Sequence, residues 1–482
     1  MKIVLLNARI GNSPSPPLGI LYLAAVLRDA GHTVMALDPD PHRPPPVNEL
    51  AAFDPDLAGI SIMTTQVRRA RELATAIREH APRAVIIGGG IHPTALPEWS
   101  LRNLDLDYAV IGEGEHTVVE LCRILDSGGD PASVAGIAFL DAAGICRRTP
   151  PRQYITDLDE LPLPARDLLD FERYLRPPGN IRGVFLRRAT AIMCGRGCPF
   201  SCTFCASHRI FGRAVRLRSI DNVLDELGHL VRRHAIDGFW LLDDTLLEDH
   251  DWTTAFCRRL REKGYHLTWG CQGHVRRIRE PVLREMKAAG CVQIEFGVES
   301  GSPRILRRLR KGTDPDDIKR AFMIARRVGL RTLANFMIGN PDETEDDLEM
   351  TFRLAKVIRP DHVVATFTTP LPGSTLYEEA IARGWIETGE DFSGGWVIRQ
   401  TENPAVRISL DPSVMKRFRT KFDNHFFLTN HLDYLLQPEL VLDIGRAILR
   451  NPGPYLAGFL MAIRTKRLSH FFETVWNEYN AV

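Results

Sequence analysis

The chain lacks an excess of either charge: 61 Lys and Arg stand against 60 Asp and Glu over 482 residues. Such a balance gives no electrostatic footprint for a nucleic-acid partner or a strongly acidic one. Long apolar runs are missing too. The longest late one, Tyr455 to Ile463, falls far short of the ~20 residues a membrane helix needs, so no membrane span is expected. The N-terminus, Met1-Lys-Ile-Val-Leu-Leu-Asn, has no extended apolar core followed by a small-residue cleavage site. It is read as a first strand and not as a signal peptide, which makes a cytoplasmic location the expectation. There is no disulfide framework: nine cysteines is an odd number, and three crowd into one short loop while the rest are scattered. No Gly-x-Gly-x-x-Gly follows the first strand, which disfavours a dinucleotide. What is present is an ordinary globular composition, 44% hydrophobic, in a chain long enough for two or three domains.

Strand and helix patterns alternate over residues 1–140. Strands are expected at Lys2–Asn7, Thr33–Asp38, Leu57–Met63, Ala84–Ile87 and Tyr108–Ile111, with helices at Leu18–Ala30 and Val67–His80. Such alternation predicts a Rossmann-like, doubly wound parallel sheet, whose ligands sit at the carboxyl ends of the strands. There lie Ser61, Thr64 and Thr65, then Gly88-Gly89-Gly90, then Gly112-Glu113-Gly114-Glu115. Glycines allow backbone to approach a large ligand closely. Residues 141–184 form a connector: Pro150, Pro151, Pro162, Pro164, Pro177 and Pro178 forbid a continuous helix or central strand. It is expected to cross the surface of the next domain.

Residues 185–400 repeat the period six times, beginning with the strand Ala189–Met193 and ending with His362–Thr368. Six units suit a partial TIM-like barrel. In Val292–Val298 and just beyond, Gln293, Glu295, Gly297 and Glu299 fall on one face and Ile294, Phe296 and Val298 on the other. One face therefore lies under helices, and the other lines a lumen suited to polar ligands. Ser219 is a candidate N-cap. Arg209, Arg213, Arg216 and Arg218 read first as a solvated basic face, with one Arg able to grip a carboxylate. Residues 401–482 form a helical C-terminal region, with helices expected over 414–427, 438–449 and 454–464.

The chemistry centres on Cys194-Gly-Arg-Gly-Cys-Pro-Phe-Ser-Cys-Thr-Phe-Cys205. Cys198, Cys202 and Cys205 form a CxxxCxxC triplet. Three thiolates in one loop suit an iron–sulfur cluster with one iron left open to another ligand, since a closed four-iron cluster takes four cysteines. A structural zinc site would need further Cys or His pairs, and only His208 is close. A closed electron-carrier cluster would need Cys194, which ends an apolar run and reads as a buried strand residue.

The triplet, with the aromatic Phe204 before its last cysteine, resembles the signature of the radical S-adenosylmethionine (SAM) superfamily. The resemblance implies a [4Fe-4S] cluster on Cys198, Cys202 and Cys205, with SAM on the open iron. It also implies SAM contacts from Phe204, Glu299 and Ser300 (in Gly297-Val-Glu-Ser-Gly-Ser), and from Asn335 and Gly339 (in Asn335-Phe-Met-Ile-Gly-Asn-Pro-Asp-Glu-Thr). Asp243 is a further candidate, with a helix cap as its alternative. Pro17-Leu-Gly-Ile-Leu-Tyr-Leu-Ala, Gly88-Gly-Gly-Ile-His-Pro and Ile111-Gly-Glu-Gly-Glu resemble the cobalamin (B12)-binding domain that precedes the barrel in one class of that superfamily. On that resemblance Ser61, Thr64, Gly88, Gly89, Gly90, Glu113 and Gly114 would hold cobalamin. The Asp-x-His-x-x-Gly motif that ligates cobalt in many such domains is absent, so the domain either binds a corrin without a protein ligand or is a vestige. His92 reads as a turn residue bonded to its own loop. The activity implied is reductive SAM cleavage to a 5′-deoxyadenosyl radical. Electrons would come from an external flavodoxin- or ferredoxin-like donor. The outcome would be C-methylation of a small molecule or, alternatively, a dehydration, cyclisation or epimerisation.

Overall fold

The computed structural model describes residues 1–11, 15–175, 181, 184, 186–386, 392, 408–430, 445, 448, 449, 452–465, 471, 474 and 475. Seven strands make the first sheet: β1 (Lys2–Asn7), β2 (Thr33–Leu37), β3 (Leu57–Ser61), β4 (Val85–Gly89), β5 (Tyr108–Val110), β6 (Ile137–Leu140) and β7 (Cys146–Arg148). Their order is β2-β1-β3-β4-β5-β6-β7. The first five are parallel, and β1, β3 and β4 are buried on both faces. In β1, Ile3 and Leu5 face the helix Leu18–Asp29, while Val4 and Leu6 face the helix Val67–His80.

The last two strands form an antiparallel hairpin absent from the sequence reading, and they carry the sheet to Arg148, past the expected boundary at residue 140. The turn makes the hairpin: the Asp141 carboxylate accepts from the Ala143 and Ile145 N–H groups, and Gly144 takes a left-handed φ of 76°.

The connector does not simply cross a surface, as expected. Ile155, Leu158, Leu161 and Ala165 are buried in the first domain's core, and Phe171, Tyr174 and Leu175 in the barrel's core. It is a seam between the two.

The second sheet contains β8 (Ala189–Ile192), β11 (Gly238–Leu241), β12 (Thr268–Gly273), β13 (Cys291–Glu299), β14 (Arg331–Ile338) and β15 (His362–Phe367). All pair in parallel, in sequential order from β8 to β15. Six sequential parallel strands with helices between them are the predicted partial (β/α)6 barrel. Between β8 and β11 lies a two-residue antiparallel ribbon, β9 (Gly195–Arg196) with β10 (Arg216–Leu217).

Local chemistry sets the helix starts. Ser219 caps Ile220–His234, its hydroxyl accepting the Asn222 N–H at 3.2 Å, and Asp249 caps His250–Lys263. In the C-terminal region the helix Pro412–His425 buries Met415, Phe418 and Phe422 beside β14 and β15. Each buried Phe is worth roughly 1.5–3 kcal/mol. A second helix spans Pro452–Thr465, and the one expected over 438–449 lies almost wholly outside the described residues. No described helix is long and apolar enough to cross a membrane.

Candidate functional site

The cysteine loop leaves the carboxyl end of β8 and is held at every step. Cys194 is fully buried in the barrel core, and its N–H donates to both Asp243 carboxylate oxygens at 3.1 and 3.0 Å. Asp243 is thus the anchor of the loop, not the cap of the next helix, which is Asp249. Burial pushes Asp243 up to about 7, against the pull of the Cys194 and Gly195 N–H groups. Gly197 has φ +95°, and a Cβ there would lie 2.1 Å from the Ala214 carbonyl oxygen, so only glycine fits. The Cys198 N–H then donates to the Gly212 carbonyl at 3.3 Å, and the Thr203 N–H to the Leu309 carbonyl at 2.9 Å.

Cys198, Cys202 and Cys205 are each partly exposed at this mouth. Burial raises all three thiols, that of Cys198 to about 11, and Cys205 and Cys202 raise Cys198 further. Cys194 feels Asp243, Arg218 and Glu226 instead, so it belongs to the core and not to the triplet. Among the described residues, no group of three or more His, Cys, Asp or Glu converges as a single-ion site requires. A triplet without a fourth thiol fits a cluster that places one thiolate on each of three irons.

A residue the sequence reading passed over completes the mouth. Lys311 is buried, with its ammonium 2.8 Å from Glu299 Oε1 and 5.7 Å above the centre of the Phe204 ring. Burial alone would discharge it, but Glu299 and then Cys202 hold its pKa above the usual value. In return Lys311 pulls the Cys202 and Cys205 thiols down, toward the thiolate form. Glu299 reaches this position through an irregular register after Gly297 and a left-handed φ of 64°. His274, beyond β12, stacks its ring on Phe200 of the loop, with centroids 3.8 Å apart at 12°. Its Nε2–H donates to the Lys311 carbonyl at 3.3 Å. Burial lowers its pKa to about 3, so the ring is neutral.

Other expected SAM contacts are placed differently. Ser300 is fully enclosed; its hydroxyl pairs with Thr351 Oγ1 at 3.1 Å and accepts the Ser302 N–H. It is a packing residue with no side-chain surface for a ligand. Gly339 donates its N–H to Glu343 Oε2 at 2.7 Å, and a Cβ on it would meet Met415 Sδ at 2.3 Å. Asn335 lies on β14 and donates to Glu295 Oε1 at 2.5 Å. The basic run is solvated only in part: Arg209 and Arg213 are exposed, and Arg216 and Arg218 are not. Arg216 and Arg218 are largely buried and paired with Glu113 and Glu226, while Arg209 binds Glu378 and the Gly373 carbonyl.

A largely apolar cavity of about 350 Å³ opens at the carboxyl ends of β1, β3, β4 and β5, roofed by the helix Leu18–Asp29 and by Met193, Arg196 and Phe211 from the barrel side. Of the residues expected to hold cobalamin, Ser61, Gly89, Gly90, Glu113 and Gly114 line it. Thr64 and Gly88 do not. Thr64 Oγ1 is 3.2 Å from His92 Nδ1, and a Cβ on Gly88 would strike Leu106 at 2.4 Å on the opposite face of the sheet. His92 is buried among Thr64, Trp99 and Phe392, with burial lowering its pKa to about 3, and is not a lining residue. The bare backbone of Gly89, Gly90, Gly112 and Gly114 beside Leu5, Ile87 and Val110 makes an apolar slot that fits a flat, bulky group such as a corrin's nucleotide tail.

Two family models match this chain: the B12 binding domain over residues 5–122 and the radical SAM superfamily over residues 192–355. An uncharacterised methyltransferase of Pyrococcus horikoshii is 32% identical over 438 residues, covering 90% of this chain and 91% of that protein. An anaerobic magnesium-protoporphyrin IX monomethyl ester cyclase of Rubrivivax gelatinosus is 30% identical over 423 residues, covering 86% and 75%. Among solved structures, the cobalamin-dependent SAM radical enzyme OxsB with aqua-cobalamin and SAM bound matches with a TM-score of 0.70 at 18% identity, over 94% of this chain and 75% of that one, which shows a shared fold. The cysteine triplet, the six-stranded barrel and the cavity-bearing parallel sheet ahead of it agree with these matches: the chain belongs to the radical SAM superfamily, in the class that carries an N-terminal B12-binding domain.

Proposed function

We propose that this protein is a cobalamin-dependent radical SAM methyltransferase acting on carbon in a small molecule. The observation that carries the reading is the cavity. It is lined from both domains, and one of its walls, Arg196, stands two residues before Cys198. When bound, the cluster supplies an electron for reductive cleavage of the SAM sulfonium, and the corrin supplies a transferable methyl group.

The chain's own residues hold and shield these groups. Cys198, Cys202 and Cys205 hold the cluster, and Lys311 offsets thiolate charge beside it. Glu299, fixed by Lys311, offers its carboxylate to SAM, and Phe204 offers an apolar ring face. Ser61, Gly89, Gly90, Glu113 and Gly114 frame the corrin, with no histidine among the lining residues to ligate cobalt. Domain limits near residues 148 and 185, and an external flavodoxin- or ferredoxin-like donor, are part of the proposal. The relative named as a methyltransferase supports methyl transfer. The relative named as a cyclase keeps a second reading in play, a radical cyclisation without methyl transfer.

Anaerobic reconstitution with iron, sulfide and hydroxocobalamin, followed by SAM and a reductant, tests the choice. Methyl transfer yields S-adenosylhomocysteine alongside 5′-deoxyadenosine, and a corrin spectrum that stays with the protein through desalting. A protein that forms 5′-deoxyadenosine, retains no corrin and makes no S-adenosylhomocysteine would move the assignment to the second reading.

A further inference from the structure

We propose that Arg196 is a positioning residue through which occupancy of the cavity and order in the cluster loop reinforce each other. The inference rests on the cobalamin reading above and goes beyond it.

Arg196 belongs to the barrel domain, yet its side chain is fixed by the first domain. Nη1 is 3.0 Å from Glu113 Oε1 and Nη2 is 2.6 Å from Glu115 Oε1, with all three side chains buried. The guanidinium lies 5.5 Å from the ring centre of Tyr22, on the first domain's opening helix, and 5.4 Å from that of Phe211, just beyond the cluster loop. Glu113 also accepts from Arg216 at 2.9 Å and from the Ile155 N–H at 2.9 Å, which adds β10 and the connector to the same knot. Two carboxylates thus meet two guanidinium groups in a buried place, and removing any one leaves an uncompensated charge. Arg196, Glu113, Glu115, Tyr22 and Phe211 all line the cavity.

The backbone on either side has no slack. Arg196 pairs with Arg216 in the ribbon, and a Cβ on Gly195 would lie 2.9 Å from the Arg216 carbonyl. Gly197 is the tight position against Ala214 described above, and the next residue is Cys198. A shift of the Arg196 side chain on ligand entry therefore has no loop in which to dissipate before it reaches the first cluster thiol. Conversely, pinning Cys198 on a cluster restricts the rotations open to Arg196. Energy coupling of this kind is reciprocal: if the cluster tightens the cavity ligand, the ligand tightens the cluster by the same factor.

The test titrates hydroxocobalamin anaerobically into wild-type protein with and without its reconstituted cluster, following the visible spectrum, and measures iron release to a chelator with and without the corrin. The expected result is about fivefold or more tighter corrin binding in the cluster-loaded form, with iron release slowed when corrin is bound. Arg196→Lys keeps the charge but loses the planar fork and the ring contacts. It should fold, bind corrin, and show a ratio near one. Equal affinities in the two wild-type forms would overturn the coupling while leaving the cobalamin reading intact, and so would an undiminished ratio in Arg196→Lys. No corrin binding by either form removes the cobalamin reading, and this inference with it.

Discussion

Lys311 is the residue whose removal should be felt at every level of the site. Lys311→Met keeps an unbranched side chain one atom shorter and deletes the charge. It strands Glu299 as an unpaired carboxylate in a buried position, since the two side chains are only 11% and 8% exposed. Deleting one partner of a buried ion pair costs about 3–5 kcal/mol, and losing a desolvated cation over an aromatic face costs about 1–2 kcal/mol more. Glu299 can limit the loss by taking up a proton. Glu299→Gln strands the ammonium instead and should cost a similar amount. In the double variant Lys311→Met/Glu299→Gln both charges are gone, so the loss should be smaller than the sum of the single losses by about 1–3 kcal/mol. Urea unfolding of the cluster-free chain, followed through the fluorescence of Trp240 and Trp269 buried in the barrel, reads these numbers. A second signature is independent of stability. Burial raises the Cys202 and Cys205 thiols and the Lys311 charge opposes that rise, so Lys311→Met should need a higher pH than wild type to take up iron. Single variants that each cost under about 1 kcal/mol, or costs that simply add, would refute the ion-pair account.

Three further outcomes are expected. Alanine at Cys198, Cys202 or Cys205 should collapse iron content and abolish 5′-deoxyadenosine formation, while Cys194→Ala should keep both and lose only packing; iron per chain under anaerobic conditions decides. Gly89→Leu should abolish corrin retention with the fold preserved, because a Cβ there meets only Val110 at an ordinary 3.8 Å and the rest of the side chain fills the slot; circular dichroism and the visible spectrum separate the two effects. Burial raises Glu343 from 4.5 to about 7, so the folded chain holds a proton there that the unfolded chain releases. Its contribution to stability is therefore full below about pH 4.5 and lost as pH rises through about 7, and Glu343→Gln should show a shallower fall in Tm between pH 5 and 8 than wild type.

What could be read in the sequence was what neighbours in the chain determine. The CxxxCxxC loop is such a case, and so are the parallel strands, whose apolar runs and turn glycines sit side by side in the chain. The Ser219 cap needs only its own helix. The β6–β7 hairpin went unread because its strands are short and one of them is mostly polar, so its pairing depends on the Asp141 turn and the free edge of β5. Lys311 went unread for a different reason. It ends a basic run, Arg307-Arg308-Leu309-Arg310-Lys311, that looks solvated until the turn after the helix Pro303–Arg308 folds it against the cysteine loop.

Face assignments failed where regular alternation fails. Gly88 and Gly89 are adjacent, so if one reaches the cavity the other must face away, and a triplet of glycines cannot say which. Along β13 the alternation holds from Gln293 to Gly297, with Ile294, Phe296 and Val298 in the core, and then breaks at the irregular register before Glu299. A strictly pleated strand would leave Glu299 in line with Glu295 on the lumen wall and Ser300 on the face beneath the helices. The observed left-handed φ at Glu299 instead swings its carboxylate onto Lys311, whose ammonium lies over the Phe204 ring of the cysteine loop. Left-handed backbone at a residue other than Gly, Asn or Asp is uncommon, and it persists only where its surroundings hold it. Here the Lys311 ion pair and the bare Gly297, where a Cβ would lie 2.4 Å from Glu299 Oε1, are those surroundings. The strain at Glu299 and the glycine two residues before it are therefore one device, and it sets a single carboxylate on Lys311, beside the cysteine loop.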